Sequence, residues 1–112
     1  MQFTKTENIY KVIRITGSQN NILGVCFSKN NSNDIKVVEW IKEDDSNKQT
    51  SKNQVLEQVT LGLKEINQSL GTNYRLSKIY YLPSESSSDF VYKFLIMKLI
   101  RHYHHGNEFK VT

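Results

Sequence analysis

The residues best suited to chemistry are three histidines near the C-terminus: His102, His104 and His105. In a helix, His102 and His105 would share a face, because side chains three residues apart are neighbours there. A zinc site needs a third and usually a fourth ligand, but the single cysteine of the chain, Cys26, lies far away in the sequence. Imidazoles near the C-terminal end of a helix also interact favourably with its dipole. We therefore predict that the histidines stabilise a helix end, and we predict no metal site.

The sequence offers no other nucleophile or cofactor motif. Cys26 has no activating neighbour in the sequence and shares a strand face with Ile22 and Gly24, so we expect a buried thiol that behaves as a small hydrophobe. No GxSxG, GxGxxG, HExxH, CxxC or Walker pattern occurs in the chain. We predict no catalytic residues and no cofactor.

Acidic residues concentrate in one place, at Glu39, Glu43, Asp44 and Asp45. This cluster spans the end of a predicted strand and the loop that follows it. It has two interpretations: a solvated loop, or an acidic knob that a basic partner surface recognises, since opposite charge favours association.

Apolar periodicity predicts the elements that position these residues. β-branched and aromatic residues predict strands over residues 9–16, 22–28, 35–41 and 76–82, the first three joined by turns as an antiparallel meander. The loop between the first two predicted strands has five residues. An amphipathic stripe predicts a helix over residues 51–70, with a capping box at Ser51 and Gln54 and Gly71 at its C-terminal end. Residues 90–105 predict a second helix, and residues 108–111 are either a frayed tail or a short final strand.

The order β-β-β-α-β-α predicts one α+β domain over residues 1–112, in which two helices pack on a mostly antiparallel four-stranded sheet. A strand order of 3-2-1-4 would place the fourth predicted strand parallel to the first. Gly62, inside the first helix, is expected to let that helix approach the sheet closely. The order of elements resembles the opening of the ribonuclease H-like fold, which implies a carboxylate in the first strand. That strand has Lys11 and Arg14 and no acid, so we do not expect a two-metal nuclease.

The second predicted helix has a wide apolar stripe and, on its other side, the cations Lys93, Lys98, Arg101 and His104. Phe94 and Met97 lie among these cations. They are covered either by another part of the chain, such as the N-terminal segment with Phe3, or by a partner. Phe94, Met97 and Arg101 are therefore candidate partner-binding residues. The alternative is a helix that faces nucleic-acid phosphates.

Tyr80 and Tyr81 point to opposite faces of one predicted strand, so at most one of them is buried under the helices. We predict that the other lies, partly buried, on the second face of the sheet with Tyr10 or Trp40. Aromatic residues on an exposed sheet face also suit protein interfaces or stacking on bases.

Composition predicts a folded protein of the cytoplasm. With 38% hydrophobic residues the chain is too apolar to be disordered. Its net charge of +4 is only mildly basic and does not require nucleic acid. The longest apolar run covers residues 94–97, whereas a membrane span needs about 20 residues. The polar residues 1–8 lack the pattern of a secretory signal, and one thiol suits a reducing compartment.

Two segments resemble a known family: Lys78-Ile79-Tyr80-Tyr81-Leu82-Pro83-Ser84 and Tyr103-His104-His105-Gly106. With the short length and the Asn-, Ser- and Lys-rich composition, they make the sequence similar to the small α+β immunity proteins that bacteria make against contact-dependent and other polymorphic toxins. The resemblance implies a non-catalytic protein that covers the active site of a cognate toxin or a nearby surface. Immunity proteins for nucleases are often acidic. In this chain the cluster of four acidic residues at positions 39–45 is the one region that offers such charge. The alternative function is a small nucleic-acid-associated domain with a basic C-terminal helix.

Overall fold

The computed structural model describes residues 1–16, 19–29, 34–40, 52–82 and 91–112. In this part of the chain the elements are β1 (Gln2–Thr6), β2 (Ile9–Thr16), β3 (Gln19–Phe27), β4 (Lys36–Glu39), α1 (Lys52–Leu70), β5 (Leu76–Tyr81), α2 (Val91–His104) and β6 (Lys110–Val111). The described strands form one mixed sheet of six, in the order β4-β5-β3-β2-β1-β6. The predicted α+β class is confirmed, whereas the predicted number of four strands is wrong. Three of the five pairings between the described strands are antiparallel and two are parallel.

The predicted meander is wrong at its third strand. β2 and β3 form the expected antiparallel hairpin, but β5 lies between β3 and β4, antiparallel to β3 and parallel to β4. The predicted parallel pairing of the fourth strand with the first is therefore wrong too. Helix α1 connects β4 to β5, and a helical crossover of this kind is how a chain returns to lie parallel to the strand that it has just left.

The sheet also gains strands that apolar periodicity does not predict. β1 is short and mostly polar, and it pairs antiparallel with β2. β6 pairs parallel with β1, so of the two alternatives for the C-terminal segment the short strand is confirmed. β3 begins at Gln19, three residues earlier than predicted, so that only residues 17 and 18, which lie outside the described part, separate β2 from β3. The predicted five-residue loop is wrong, because the polar residues 19–21 pair with β2 instead.

Both helices pack on one face of the sheet, which we call the helix face. The strand residues in the core share this face, because Val12 pairs with Leu23, Leu23 with Tyr81 and Val25 with Ile79. They join one apolar cluster with buried residues of both helices, namely Val55, Val59, Ile66, Val91, Tyr92, Leu95, Ile96, Leu99 and Ile100. The opposite side of the sheet is called the open face below.

Gly62 makes room for the neighbouring helix and not for the sheet, so that the expectation for this residue is wrong. A Cβ atom at Gly62 would lie 2.5 Å from Cγ2 of Ile96 and 2.8 Å from the backbone oxygen of Lys93, both on α2. Lys93 also forms an ion pair with Glu65 of α1, with 2.8 Å between Nζ and Oε2. The two helices are thus in close contact at this point. No helix in the described part of the chain is long and apolar enough to cross a membrane.

Candidate functional site

His102 and His104 are held by aromatic neighbours at the C-terminal end of α2. The ring of His102 stacks on Phe3, with 3.8 Å between centroids. Its Nε2 lies 2.7 Å from the backbone oxygen of Glu108, which can only accept, so Nε2 donates. His104 Nδ1 lies 2.9 Å from Oη of Tyr74. Among the described residues, no group of three or more His, Cys, Asp and Glu side chains lies close enough together to hold a metal ion.

These histidines belong to a larger set of rings, which we call the aromatic cluster: Phe3, Tyr10, Phe27, Tyr74, His102, Tyr103, His104 and Phe109. Tyr10 contacts both Tyr103 and Phe109, with centroids 5.1 and 5.0 Å away. Burial, and after it the neighbouring Tyr10 and Tyr74, raise the pKa of Tyr103. The cluster ties the end of α2 and the C-terminal segment to the sheet, which is a packing role.

Phe94 and Arg101 are exposed on α2, whereas Met97 is half-buried and packs against the core. Phe94 is 42% exposed. The Arg14 guanidinium lies 5.9 Å from the centroid of its ring and Lys98 Nζ lies 5.5 Å from it. Phe3, one predicted cover for these residues, stacks on His102. The surface of α2 thus carries an aromatic, an apolar and a basic residue in a strip, namely Phe94, Met97 and Arg101. This strip stays a candidate partner-binding site.

The acidic cluster is described only at Glu39. This residue ends β4 and pairs with Tyr81, which places both on the helix face. Tyr81 is fully buried, and within the described part of the chain no group lies within hydrogen-bond distance of its Oη, 3.5 Å, although Glu39 is close enough to affect it. Burial, and after it the charge of Glu39, raise the pKa of Tyr81 to about 12. Glu43, Asp44 and Asp45 lie outside the described residues, so that the acidic knob stays a prediction.

The open face carries an aromatic pair that the sequence only partly indicates. Trp40 stacks on Tyr80, with centroids 5.3 Å apart and planes 22° apart. The indole extends over β5 to Gly24 on β3, where a Cβ atom would lie 3.1 Å from the Trp40 ring. On β2, Lys11 Nζ lies 5.4 Å from the centroid of the same ring. Both aromatic residues are half-buried, as predicted for this face. The missed signal is Gly24, since a glycine inside a strand often marks a close approach of another group.

Aliphatic side chains extend this face beyond the aromatic pair. Ile13 and Ile22 are directly paired on it, and Ile15, also on this face, is 58% exposed. Cys26 also belongs here and is buried, as predicted. Burial raises the pKa of its thiol, while Lys78 acts in the opposite direction. The open face is therefore an apolar and aromatic surface that neither helix covers.

No protein-family model matches the chain, and no curated protein and no solved structure is similar enough to count as a match. What the protein does must therefore be inferred from its own surfaces.

Proposed function

We propose that the protein is a non-catalytic protein-binding module, and specifically an immunity protein that neutralises a cognate bacterial toxin by covering its active site or a nearby surface. The observation that carries the proposal is the open face, where Trp40, Tyr80 and Ile15 lie on the side of the sheet away from both helices. The resemblance to immunity proteins supplies the kind of partner.

An apolar sheet face of this composition suits protein binding. Burying apolar area stabilises a complex by about 25 cal/mol per Å² before the costs of association. Tryptophan and tyrosine are also the side chains that most often dominate binding energy at interfaces. Because Tyr80 and Gly24 hold the Trp40 indole in place, little side-chain freedom is lost when a partner covers it.

The test is binding to the protein encoded beside this chain's gene, measured by calorimetry. We expect a nanomolar complex that Ile15→Asp weakens at least tenfold, because the variant puts a charge into the apolar contact. Leu61→Asp is the matched control, since Leu61 is 46% exposed on α1 and should leave binding unchanged. If the neighbouring protein does not bind, the immunity proposal fails. If the two variants behave alike, the open face is not the interface.

A second candidate function is nucleic-acid binding by α2, which the position of Arg14 and Lys98 beside the exposed Phe94 favours. Arg101 on the same helix is exposed as well, but Lys93 is paired with Glu65. This candidate predicts oligonucleotide binding that decreases steeply with salt, because phosphate contacts release counterions. A filter-binding assay that detects no complex at low salt would exclude it.

A further inference from the structure

The charged residues that the described strands place on the open face are all basic. The described strand positions of this face include four lysines and no aspartate or glutamate: Lys11, Lys36, Lys78 and Lys110. In the sheet, Lys36 and Lys78 are directly paired neighbours on β4 and β5, and Lys110 belongs to the opposite edge strand. The cations therefore extend over both sides of the aromatic pair.

One row of paired positions crosses the whole sheet: Val38, Tyr80, Gly24, Lys11, Thr4 and Lys110. Lys11 in this row is held in position, because its Nζ donates to Thr6 Oγ1 over 3.1 Å and lies over the Trp40 ring. An ammonium has three hydrogen-bond donors, so Lys11 can also bind a carboxylate that approaches from solvent. The row thus places a cation directly beside the apolar surface.

We infer that the open face binds an acidic protein surface, in which Asp or Glu side chains surround an apolar patch. This inference rests on the proposed protein-binding function and adds the chemistry of the partner. Complementary charge steers association and disfavours partners of like charge. The partner chemistry is the opposite of the one that the acidic knob would select.

Two other occupants fit less well. A nucleic acid would need free aromatic planes, but the Trp40 ring already contacts Tyr80 and Lys11, and the isoleucines of this face suit aliphatic groups more than phosphates. A second copy of the chain, packed face to face, would bring lysines against lysines.

Trp40 is the only tryptophan of the chain, so its fluorescence reports directly on the open face. The first probe is a peptide of alternating glutamate and leucine, with a lysine and leucine peptide of the same length as its control. We expect a blue shift of the Trp40 emission with the glutamate peptide alone, and loss of that shift in the double variant Lys36→Glu, Lys78→Glu. Equal shifts with both peptides, or no shift with either, would overturn the inference.

The second probe is the protein encoded beside this chain's gene. Lys78→Glu is expected to slow its association about tenfold at low salt and less at moderate salt. Lys64→Glu, an exposed site on α1, is the matched control and should change the rate little. Binding that neither Lys78→Glu nor salt affects would overturn the inference and leave the proposed function standing. If this protein does not bind at all, the proposed function fails, and the peptide experiment still decides the inference.

Two further measurements identify the other occupants. A single-stranded oligonucleotide that shifts the Trp40 emission in the wild type, but not in the double lysine variant, would assign the face to nucleic acid. A dimer in solution that Lys78→Glu strengthens would assign it to a second copy of the chain. Either result would overturn the inference. If neither is seen, the acidic protein surface is supported as the partner.

Discussion

The indole of Trp40 lies over the backbone of Gly24, on the side of the sheet that the helices leave uncovered. The two residues are 16 positions apart in the sequence. Gly24 lies on β3 and Trp40 directly follows β4, and β5 separates these two strands. The absence of a side chain at Gly24 lets Trp40 span three strands while it stacks on Tyr80. This contact gives the open face its shape, and with it the surface to which we assign binding.

Enlarging Gly24 should displace Trp40. Gly24→Val would put methyl groups where the Trp40 ring, Ile9 and Lys11 already lie within 3.4 Å of a Cβ position. We expect a loss of about 1–3 kcal/mol in the free energy of unfolding and a red shift of the tryptophan emission. Gly24→Ala should have a smaller effect in the same direction. An unshifted emission spectrum in Gly24→Val would show that the indole does not depend on this glycine.

Gly62→Ala should destabilise the protein although alanine is the better helix former by about 1 kcal/mol. The added methyl group would meet Ile96 and the backbone of Lys93 at distances that real contacts do not reach, so α1 and α2 must move apart. We expect urea denaturation to show a net loss of about 1–3 kcal/mol. Gln68→Ala, at an exposed position of the same helix, is the control. A gain in stability for Gly62→Ala would contradict the close helix contact.

Tyr81 should make stability depend on pH in the alkaline range. Its pKa is raised from 10.0 to about 12 in the folded protein, so the unfolded chain loses this proton first. Below pH 10 the protonated Tyr81 makes its full contribution to the free energy of unfolding. This contribution decreases as the pH rises from about 10 to about 12. Denaturation at increasing pH should therefore give a steeper loss for the wild type than for Tyr81→Phe. Parallel pH profiles would exclude this role for Tyr81.

Phe109 should hold the C-terminal strand on the sheet. Its ring packs against Phe3, Tyr10 and His102, and β6 follows it directly. Phe109→Ala is expected to cost about 2 kcal/mol, less than a fully buried phenylalanine, and to speed amide hydrogen exchange at Thr112, whose N–H donates to the Lys5 oxygen. Val111→Ala, at a site 76% exposed, should change neither quantity.

The acidic knob can be tested separately from the open face. If Asp44 and Asp45 meet a basic partner, Asp44→Lys and Asp45→Lys should slow association with the neighbouring gene's product. If the partner is acidic, as inferred for the open face, the same changes should leave the rate unchanged or raise it. Stopped-flow association rates at low salt distinguish the two outcomes, with Asn53→Lys on α1 as the control for added charge.

Local pattern was enough to predict several elements closely. β2 matches its predicted range, and β5 and α2 each end one residue earlier than predicted. α1 ends at the predicted residue, whereas the predicted first residues of both helices, 51 and 90, lie outside the described part of the chain. The missed strand β1 is short and mostly polar, so its own side chains do not predict it, and its position depends on pairing with β2. The opposite orientation of Tyr80 and Tyr81 also followed from alternation along a strand.

The sequence by itself determined the α+β class, two amphipathic helices and which strand positions share a face, because these depend on periodicities of 2 and 3.6 residues. Only the tertiary structure decided that β5 separates β3 from β4, that Gly62 meets α2, and that Lys11, Trp40 and Tyr80 lie together on the open face. The physical reason is that strand pairing and close contacts join residues far apart in the chain. Their free energies depend on the complementary shape of two surfaces, which neither segment specifies alone.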